Sequence, residues 1–339
     1  MITMKTTFRE CTVSAAAIKW IGLRERQEDQ VEFCTGPCVE APCMLALLAD
    51  GMGGMGNGDV AGALIVNGYL EHYRRAACTV EQVDYLRLAN SAPLAVADDH
   101  ETGFELLAEC LQVANNSLAE EKLKGGMTEG AGATLIALHV TPGGIWWQSI
   151  GDSLLYHIQG ATVNKINVAH NWGQLIDRDL QAGIITPEQA EGQRHMRHAL
   201  HSAVCGTVIP EIQYCRTPLQ VGDRFIIASD GLQPLIDAGW EHMLHVPELR
   251  DASAAEVCEI LIEALQCVEY PYQDNTAIAV LDILPPVETT QQVGYAVAEE
   301  EDEVITGTPV LSPEEQARLE AAADVMAAVP EQVPGATGV

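Results

Sequence analysis

Short apolar runs separated by turn residues fill most of the first 284 positions and predict a chain rich in β-strands. The predicted strands are 12–22, 30–35, 44–49, 133–140, 145–150, 154–158, 224–229 and 277–283. The predicted helices are 59–75, 105–122 and 253–269, with 76–102 as an irregular loop. Because strands and helices do not alternate regularly, this order favours an α+β fold in which helices lie outside two antiparallel sheets.

Two segments depart from this pattern. Residues 168–204 are polar, rich in histidine and arginine and partly helical, which is typical of a mobile flap. Residues 285–339 carry eleven acidic residues against one arginine, so we expect a largely disordered tail that contains several prolines. A capping pattern from Ser312 to Glu315 predicts one short helix, 313–328, in that tail. The tail therefore either solvates the protein or binds a partner, and we place the folded domain at 1–284.

The formal charge of −30 over 339 residues limits the partners that the chain can bind. Nucleic acids and anionic membranes both require a basic surface, so neither is expected. The N-terminal residues lack the pattern of a signal peptide, and no apolar run is long enough to cross a bilayer. The ten cysteines are therefore expected to be reduced thiols of a cytoplasmic protein.

Three of these cysteines, Cys34, Cys38 and Cys43, lie close together in the sequence. Their spacing fits no standard zinc pattern, and no second half of such a pattern follows. The alternatives are a thiolate metal site or half-buried cysteines on two strands and their turn, and the spacing favours the second.

Four aspartates each lie at the end of an apolar run and beside turn-forming residues. They are Asp29, Asp50, Asp230 and Asp274. Strands that end at one edge would bring these carboxylates together, and carboxylates that close repel one another and lose hydration. Hard divalent cations relieve that cost, so the pattern predicts a metal site.

Six short motifs give the chain a resemblance to a known family. They are Arg24-Glu25-Arg26-Gln27-Glu28-Asp29, Asp50-Gly51-Met52-Gly53-Gly54, Gly132-Ala133-Thr134, Gly151-Asp152-Ser153, Ser229-Asp230-Gly231 and Asp274-Asn275-Thr276. From about residue 14 to 284 the sequence resembles the metal-dependent protein phosphatases, the type 2C serine/threonine phosphatases, in their bacterial form. The resemblance implies a four-layer α-β-β-α sandwich and makes 1–284 the catalytic domain.

The resemblance also implies a dinuclear centre whose ligands are all oxygen atoms, which suits Mn²⁺ or Mg²⁺. The ligands of one ion would be Asp50, Asp230 and Asp274. The second ion would be held by Asp50 and the carbonyl of Gly51, with Asp29 and Glu28 reached directly or through water. A third ion would involve Asp152 and Asp230, and Arg24 would clamp the phosphate with its guanidinium fork.

On this resemblance the chain is expected to hydrolyse phosphoserine and phosphothreonine by direct attack of a hydroxide shared by the two ions. Phosphoproteins would be its substrates, and it would oppose a Ser/Thr kinase. Two alternatives remain: a scaffold that has the fold but no turnover, and a phosphatase of a stress-response partner-switching system. The scaffold has no physical need for so many carboxylates, and the switching enzymes usually carry an added regulatory domain.

Three positions depart from the family pattern. Leu154 stands where the family usually has arginine, and Met52 stands where eukaryotic members often have a histidine as general acid. A thioether donates no proton, so protonation of the leaving group would fall to water or to a flap residue. In the flap, Ala169-His170-Asn171 replaces the usual Asp-His, and we interpret His170 either as a catalytic helper or as a flap residue in contact with phosphate or solvent.

Three other patterns match known functional motifs, but the sequence argues against a functional interpretation of each. Gly51-x-Gly53-x-x-Gly56 formally matches a dinucleotide-binding loop, but Asp50 would repel a pyrophosphate there. Gly151-Asp152-Ser153-Leu154 spells the signature of a lipase-esterase family, yet no histidine has the required aspartate three residues before it. His195, His198 and His201 are predicted on a flap helix, where a solvated face is favoured over a metal site.

Overall fold

The computed structural model describes residues 1–8, 10–36, 42–53, 57–89, 100–244 and 247–286. The predicted tail helix 313–328, Cys38 and Gly56 therefore lie outside the described residues.

Thirteen strands form two large antiparallel sheets and one short pair in the described part. The strands are β1 Ile2–Thr7, β2 Thr12–Trp20, β3 Gln30–Thr35, β4 Met44–Ala49, β5 Gly51–Met52, β6 Gly132–Ala133, β7 Leu135–Thr141, β8 Gly144–Ile150, β9 Leu154–Gln159, β10 Thr162–Lys165, β11 Gln213–Thr217, β12 Asp223–Ala228 and β13 Thr276–Leu284. The six-stranded sheet has the order β1-β2-β13-β12-β9-β10, and the five-stranded sheet has the order β11-β8-β7-β4-β3. Strands β5 and β6 pair with each other beyond the end of β4.

The described part of the chain contains eight α-helices. They are α1 Gly58–Ala89, α2 His100–Leu123, α3 Trp172–Gln181, α4 Pro187–Gly192, α5 Gln233–Asp237, α6 Glu241–Leu244, α7 Pro247–Arg250 and α8 Ala254–Cys267. Helices α1 and α2 pair and pack on the five-stranded sheet, while α8 packs on β2 and β13 of the six-stranded sheet. Within the described ranges, every helix is too short or too polar to cross a bilayer.

The two sheets pack face to face around an apolar core. This core includes Val13, Phe33, Leu48, Trp147 and Phe225, all buried. Strand β4 is buried along its whole length because one face contacts the facing sheet and the other contacts α1, and this explains its continuous run of apolar residues. The predicted four-layer α-β-β-α sandwich is confirmed.

Besides the two-residue strand β5, three strands were absent from the sequence prediction, and all three lie at edges of the large sheets. Strands β1 and β10 form the two edges of the six-stranded sheet, and β11 forms one edge of the five-stranded sheet. Their side chains are largely exposed or half-buried. An edge strand that buries little apolar surface carries little hydrophobic signal in the sequence.

The predicted irregular loop 76–102 was wrong over much of its length. Helix α1 continues to Ala89, and α2 begins at His100 rather than near Glu105. Residues 76–89 contain neither glycine nor proline and are rich in alanine, leucine and other helix-forming residues, so nothing in them ends a helix. Residues 90–99 lie outside the described part of the chain.

The cysteine prediction was right about the strands and wrong about burial. Cys34 lies on β3 and Cys43 immediately precedes β4, and both are buried rather than half-buried. A raised thiol pKa at Cys34, caused chiefly by burial, makes it a poor source of thiolate.

Candidate metal centre

One end of the sandwich gathers the acidic residues that the sequence analysis selected. Asp50 follows β4, Asp230 follows β12, and Asp274 lies two residues before β13. Asp152 lies in the turn that joins β8 to β9. These four side chains line a single cleft of 630 Å³, to which Arg24, Glu28 and Gly51 also contribute.

Asp50 is the central carboxyl group of this cleft. The carboxyl groups of Asp29 and Asp230 both lie within hydrogen-bonding range of it. Burial raises the pKa of Asp50 well above its ordinary value, and the charges of Asp230, Asp29 and Asp152 raise it further. Three carboxyl groups in contact cannot all ionise unless cations offset their charge.

Asp29 lies deeper than the other acidic residues and is not among the residues that line the cleft. Its Oδ2 accepts a hydrogen bond of 2.7 Å from the Ser229 hydroxyl, which in turn accepts one from the backbone N–H of Ala277. Burial raises the pKa of Asp29 to about 6, although the bond from Ser229 opposes that rise. This position beneath Asp50 suits a supporting role better than direct contact with a cleft ion.

Asp230 is exposed to the cleft as a residue, but protein atoms surround its carboxyl group. Burial raises its pKa to about 7, and the charges of Asp152 and Asp274 add to the rise. The turn that carries it is tight, because a Cβ on Gly231 would lie 1.9 Å from the carbonyl oxygen of Asn275. Only glycine therefore allows Asp230 and the segment before β13 to come so close.

The turn that carries Asp152 is fixed by the flap. The backbone N–H of His170 donates to the carbonyl of Gly151, and the backbone N–H of Gly151 donates to Nδ1 of His170. Asn171 Nδ2 donates to Asp152 Oδ2 at 3.3 Å, and Asn171 Oδ1 caps α3. His170 is buried, so the expectation that it contacts solvent was wrong.

The departure at Leu154 is also accommodated. Leu154 is buried in the core between the six-stranded sheet and α8, where an arginine would need a partner. Burial raises the pKa of Asp152, and the hydrogen bond from Asn171 and the charge of Lys165 counteract that rise. Support for the charged form of Asp152 thus comes from the flap and β10 rather than from position 154.

Arg24 and Asp274 form an ion pair at the mouth of the cleft, and both side chains are partly exposed. Asn275 ties this region together, because its Oδ1 accepts from the backbone N–H of Glu28 and its Nδ2 donates to the carbonyl of Ile21. Burial raises the pKa of Glu28, and Asp59 raises it further. Arg24, Glu28 and Asp274 are therefore held at one side of the cleft.

Two hydroxyl groups that support the site belong to residues of the six motifs, but the sequence alone assigned them no role. The Thr134 hydroxyl accepts from the backbone N–H of Asp50 at 3.0 Å and lies 2.7 Å from the Ser153 hydroxyl. Thr134 thereby joins the turns that carry Asp50 and Asp152. The second group is Ser229, the partner of Asp29, and its hydroxyl follows a strand with no polar pattern to mark it.

Another wall of the cleft is formed by the end of the flap and the loop after it. The sequence analysis did not predict that these residues line the cleft. Its lining residues are His198, Leu200, His201, Ser202, Ala203, Cys205, Thr207, Val208 and Pro210. The predicted helix for the three histidines is a single turn, Arg194–Met196, so His195, His198 and His201 do not share a helix face. His201 Nε2 lies 3.6 Å from Glu211 Oε2, an acid beyond the flap.

The donor set fits Mn²⁺ or Mg²⁺. Among the described residues, no three histidine, cysteine or acidic side chains already surround one point at metal-ligand spacing. Mg²⁺ and ions like it keep several water ligands and need only one or two carboxylates each, so an open arrangement suits them better than it suits zinc. The contact of Asp50 with Asp29 on one side and with Asp230 on the other, with pKa values raised by burial, is the specific observation that calls for cations.

Comparisons with known proteins agree with this architecture. The family model for protein phosphatase 2C matches residues 25–269. The serine/threonine protein phosphatase PstP of Mycobacterium tuberculosis is 28% identical over 250 residues, which are 73% of this chain and 41% of that protein. This chain thus aligns with less than half of the mycobacterial relative.

Solved structures give the same result. The crystal structure of the M. tuberculosis phosphatase PstP/Ppp matches with a TM-score of 0.59 and 26% identity, covering 80% of this chain and 99% of that one. The PstP catalytic domain in complex with two manganese ions matches with a TM-score of 0.56 and 25% identity, covering 80% and 98%.

A four-layer sandwich with an acidic cleft at one end defines a class of metal-site proteins. Because the family model matches well over half of its residues, this chain belongs to the protein phosphatase 2C family. The resemblance expected from the six motifs is confirmed.

Proposed function

We propose that this protein is a metal-dependent serine/threonine phosphatase, a hydrolase of phosphoserine and phosphothreonine in proteins. The observation that carries the proposal is the contact of the Asp50 carboxyl with those of Asp29 and Asp230, which is costly unless cations bind there. A scaffold without turnover has no use for that cost. The manganese complex of PstP supports the same chemistry.

In this proposal Asp50, Asp230 and Asp274 would hold one ion, and Asp50 with the carbonyl of Gly51 would hold the second. Glu28 lies at the cleft wall and would reach the second ion directly or through water. Asp29 would act beneath them by holding Asp50, and Asp152 with Asp230 would form a third site. Mn²⁺ or Mg²⁺ bound there would supply an activated water as the nucleophile.

Arg24 binds the substrate phosphate. Its guanidinium is at the mouth of the cleft and more than half exposed, paired with Asp274. A phosphate oxygen pair matches the fork of a guanidinium better than one shared carboxylate oxygen does. Arg24 therefore leaves Asp274 when metal and phosphate bind, and it orients the phosphorus toward the acidic wall.

The leaving alkoxide needs a proton that Met52 cannot give, although Met52 lines the cleft. His170 is buried and committed to the Gly151 turn. The proton-carrying flap groups that do line the cleft are His198 and His201. We assign protonation of the leaving group to water or to one of these two histidines.

The setting of the enzyme is also part of the proposal. Residues 1–284 form the catalytic domain, and the acidic segment 285–339 solvates it or recruits a partner. A cognate Ser/Thr kinase shares its phosphoprotein targets. A cytoplasmic location is supported by the free thiols at Cys11, Cys34, Cys110, Cys205, Cys215, Cys258 and Cys267.

The test is phosphate release from phosphoserine and phosphothreonine peptides and from p-nitrophenyl phosphate, with Mn²⁺, with Mg²⁺ and with EDTA. We expect hydrolysis of all three substrates with either metal and none with EDTA. Phosphorus in the product should carry one oxygen from ¹⁸O-water after a single turnover. Failure of both metals to support any hydrolysis would favour a scaffold.

A further inference from the structure

Two loops form an exposed apolar surface beside the mouth of the cleft. Its members are Ile21, Leu23, Tyr270 and Tyr272, and we call this surface the tyrosine rim. Leu23 is 68% exposed and Tyr272 is 79% exposed, while Ile21 and Tyr270 are also exposed. In the described part of the chain only fourteen large apolar side chains are exposed to this degree, and four of them lie in these two short loops.

The rim is continuous with the catalytic cleft. Leu23 directly precedes Arg24, and Tyr272 lies two residues before Asp274, while Arg24 and Asp274 both line the cleft. Neighbouring Cα atoms are about 3.8 Å apart, so the rim begins within one or two residues of the proposed phosphate clamp. A substrate chain whose phosphate reaches Arg24 therefore comes within reach of these side chains.

The rim is also rigid. The backbone N–H of Leu23 donates to the carbonyl of Gln273 at 3.0 Å, and Asn275 Nδ2 donates to the carbonyl of Ile21 at 2.9 Å. Gly22 has a φ of +61°, and a Cβ there would lie 2.4 Å from the carbonyl oxygen of Asp274. Two loops locked so closely give a preformed surface, which lowers the entropic cost of binding a flexible chain.

Two tyrosines supply most of the surface. The rings of Tyr270 and Tyr272 meet edge to face, with centroids 6.3 Å apart. Tyrosine offers a large contact area with few rotatable bonds and is enriched at sites of protein recognition. A cluster of exposed apolar side chains on a protein surface often marks a binding site, and this cluster lies beside the cleft.

We propose that the tyrosine rim binds an apolar side chain of the phosphoprotein substrate, close in sequence to the phosphorylated residue. This inference rests on the proposed phosphatase function and deepens it by naming a substrate class. The occupant is a segment of extended phosphopeptide. At about 3.3 Å per residue, the rim receives a side chain one to three residues from the phosphoserine or phosphothreonine.

The net charge of the protein disfavours an acidic occupant. The chain carries a formal charge of −30, although the charges next to the rim are mixed, since Glu25 and Glu269 are exposed there together with Arg24 and Arg26. A leucine or phenylalanine gains free energy by leaving water and does not depend on the sign of these charges.

The experiment compares peptides that differ only at one flanking position. A phosphothreonine peptide is made with leucine or serine at each position from three before to three after the phosphothreonine. The kcat/KM for each peptide is divided by that for p-nitrophenyl phosphate, which has no flanking residues. The enzymes are the wild type, the Leu23→Ser/Tyr272→Ser double variant, Tyr272→Phe and the control Val221→Ser.

We expect leucine to exceed serine by about tenfold in at least one position for the wild type. The double variant should lose that preference, and Tyr272→Phe should keep it because the ring remains. Val221 is 51% exposed and precedes the far end of β12, so Val221→Ser should match the wild type.

Equal ratios for leucine and serine at every position, or a preference that survives in the double variant, would overturn the inference. So would light scattering that finds a wild-type dimer dissociated by the double substitution, because a second copy would then occupy the rim. If the wild-type protein does not hydrolyse p-nitrophenyl phosphate at all, that result would instead refute the proposed function itself.

Discussion

Strands β12 and β13 have a buried carboxylate near one end and acidic side chains near the other. Near one end, Asp282 accepts two hydrogen bonds from Arg224, whose guanidinium also donates to the carbonyls of Leu249 and Ala252. Near the opposite end, Asp230 has Asp152 and Asp274 as its charged neighbours. One carboxylate has its cation within the protein, whereas the charges that act most strongly on the other belong to further carboxylates.

This difference separates a structural charge from a functional one. A buried carboxylate paired with a guanidinium holds the loop after α7 against β12, and it needs nothing from solution. A carboxyl group whose pKa is raised by the protein packed around it and by like charges costs free energy until a ligand arrives. The surroundings of an acid therefore carry no functional meaning until its partners are named.

The largest effect is expected at the cleft end. Asp230→Asn should lower kcat with Mn²⁺ by about 10³-fold, because loss of metal-ion stabilisation worth about 4 kcal/mol corresponds to that factor. The metal-free variant should unfold at the same temperature as the wild type or higher, since one crowded charge is gone. Phosphate release and thermal unfolding measure the two effects. Near-normal turnover in a folded variant would refute the site.

At the end of the strands that carries Asp282, a substitution should lower stability and leave metal binding unchanged. Asp282→Asn should lower the free energy of unfolding by about 3 kcal/mol, because it leaves the Arg224 guanidinium buried without its carboxylate. Calorimetry should find an unchanged affinity for Mn²⁺. A large loss of metal affinity without a loss of stability would contradict the comparison.

The pH dependence of the metal-free protein should show the cost of the crowded carboxyl groups at the cleft end. The pKa of Asp230 is raised to about 7, and an aspartate in the unfolded chain titrates near about 4. The folded state therefore holds a proton that the unfolded state has lost, and stability falls as pH rises from about 4 to 7. Thermal unfolding in EDTA should show this fall relative to Asp230→Asn, and saturating Mn²⁺ should remove it. A stability that rises equally in both proteins would contradict the raised pKa.

The smallest effect is expected at the cleft mouth. Arg24→Ala frees Asp274 from a partly exposed ion pair, so the affinity for Mn²⁺ should rise by about two- to fivefold. The KM for p-nitrophenyl phosphate should rise at the same time, because the phosphate loses its clamp. Calorimetric titration and steady-state kinetics on one preparation measure both. An unchanged KM would remove Arg24 from phosphate binding.

The sequence predicted the interior of the fold better than its periphery. Strand β4 was recognisable because both of its faces are buried, whereas the edge strands β1, β10 and β11 bury too little to leave a pattern. The second half of α1 was missed because its residues read as polar and irregular, although nothing in them stops a helix.

The site was predictable from the sequence where an aspartate lies beside a turn at the end of a strand. Asp50, Asp230 and Asp274 each follow or precede a strand beside a turn, and the structure places them in one cleft. The hydroxyls of Thr134 and Ser229 act through partners distant in sequence, and the flap wall around Val208 depends on how a long connection folds back. Tertiary contacts of that kind leave no local signal.

The metal centre proposed at the crowded carboxylates should be visible by anomalous diffraction at the manganese edge from crystals grown with Mn²⁺. We expect two peaks about 3.5–4 Å apart with Asp50 between them, and loss of at least one peak in Asp230→Asn. Crystals with no peak beside Asp50 in the wild type would contradict the proposed centre.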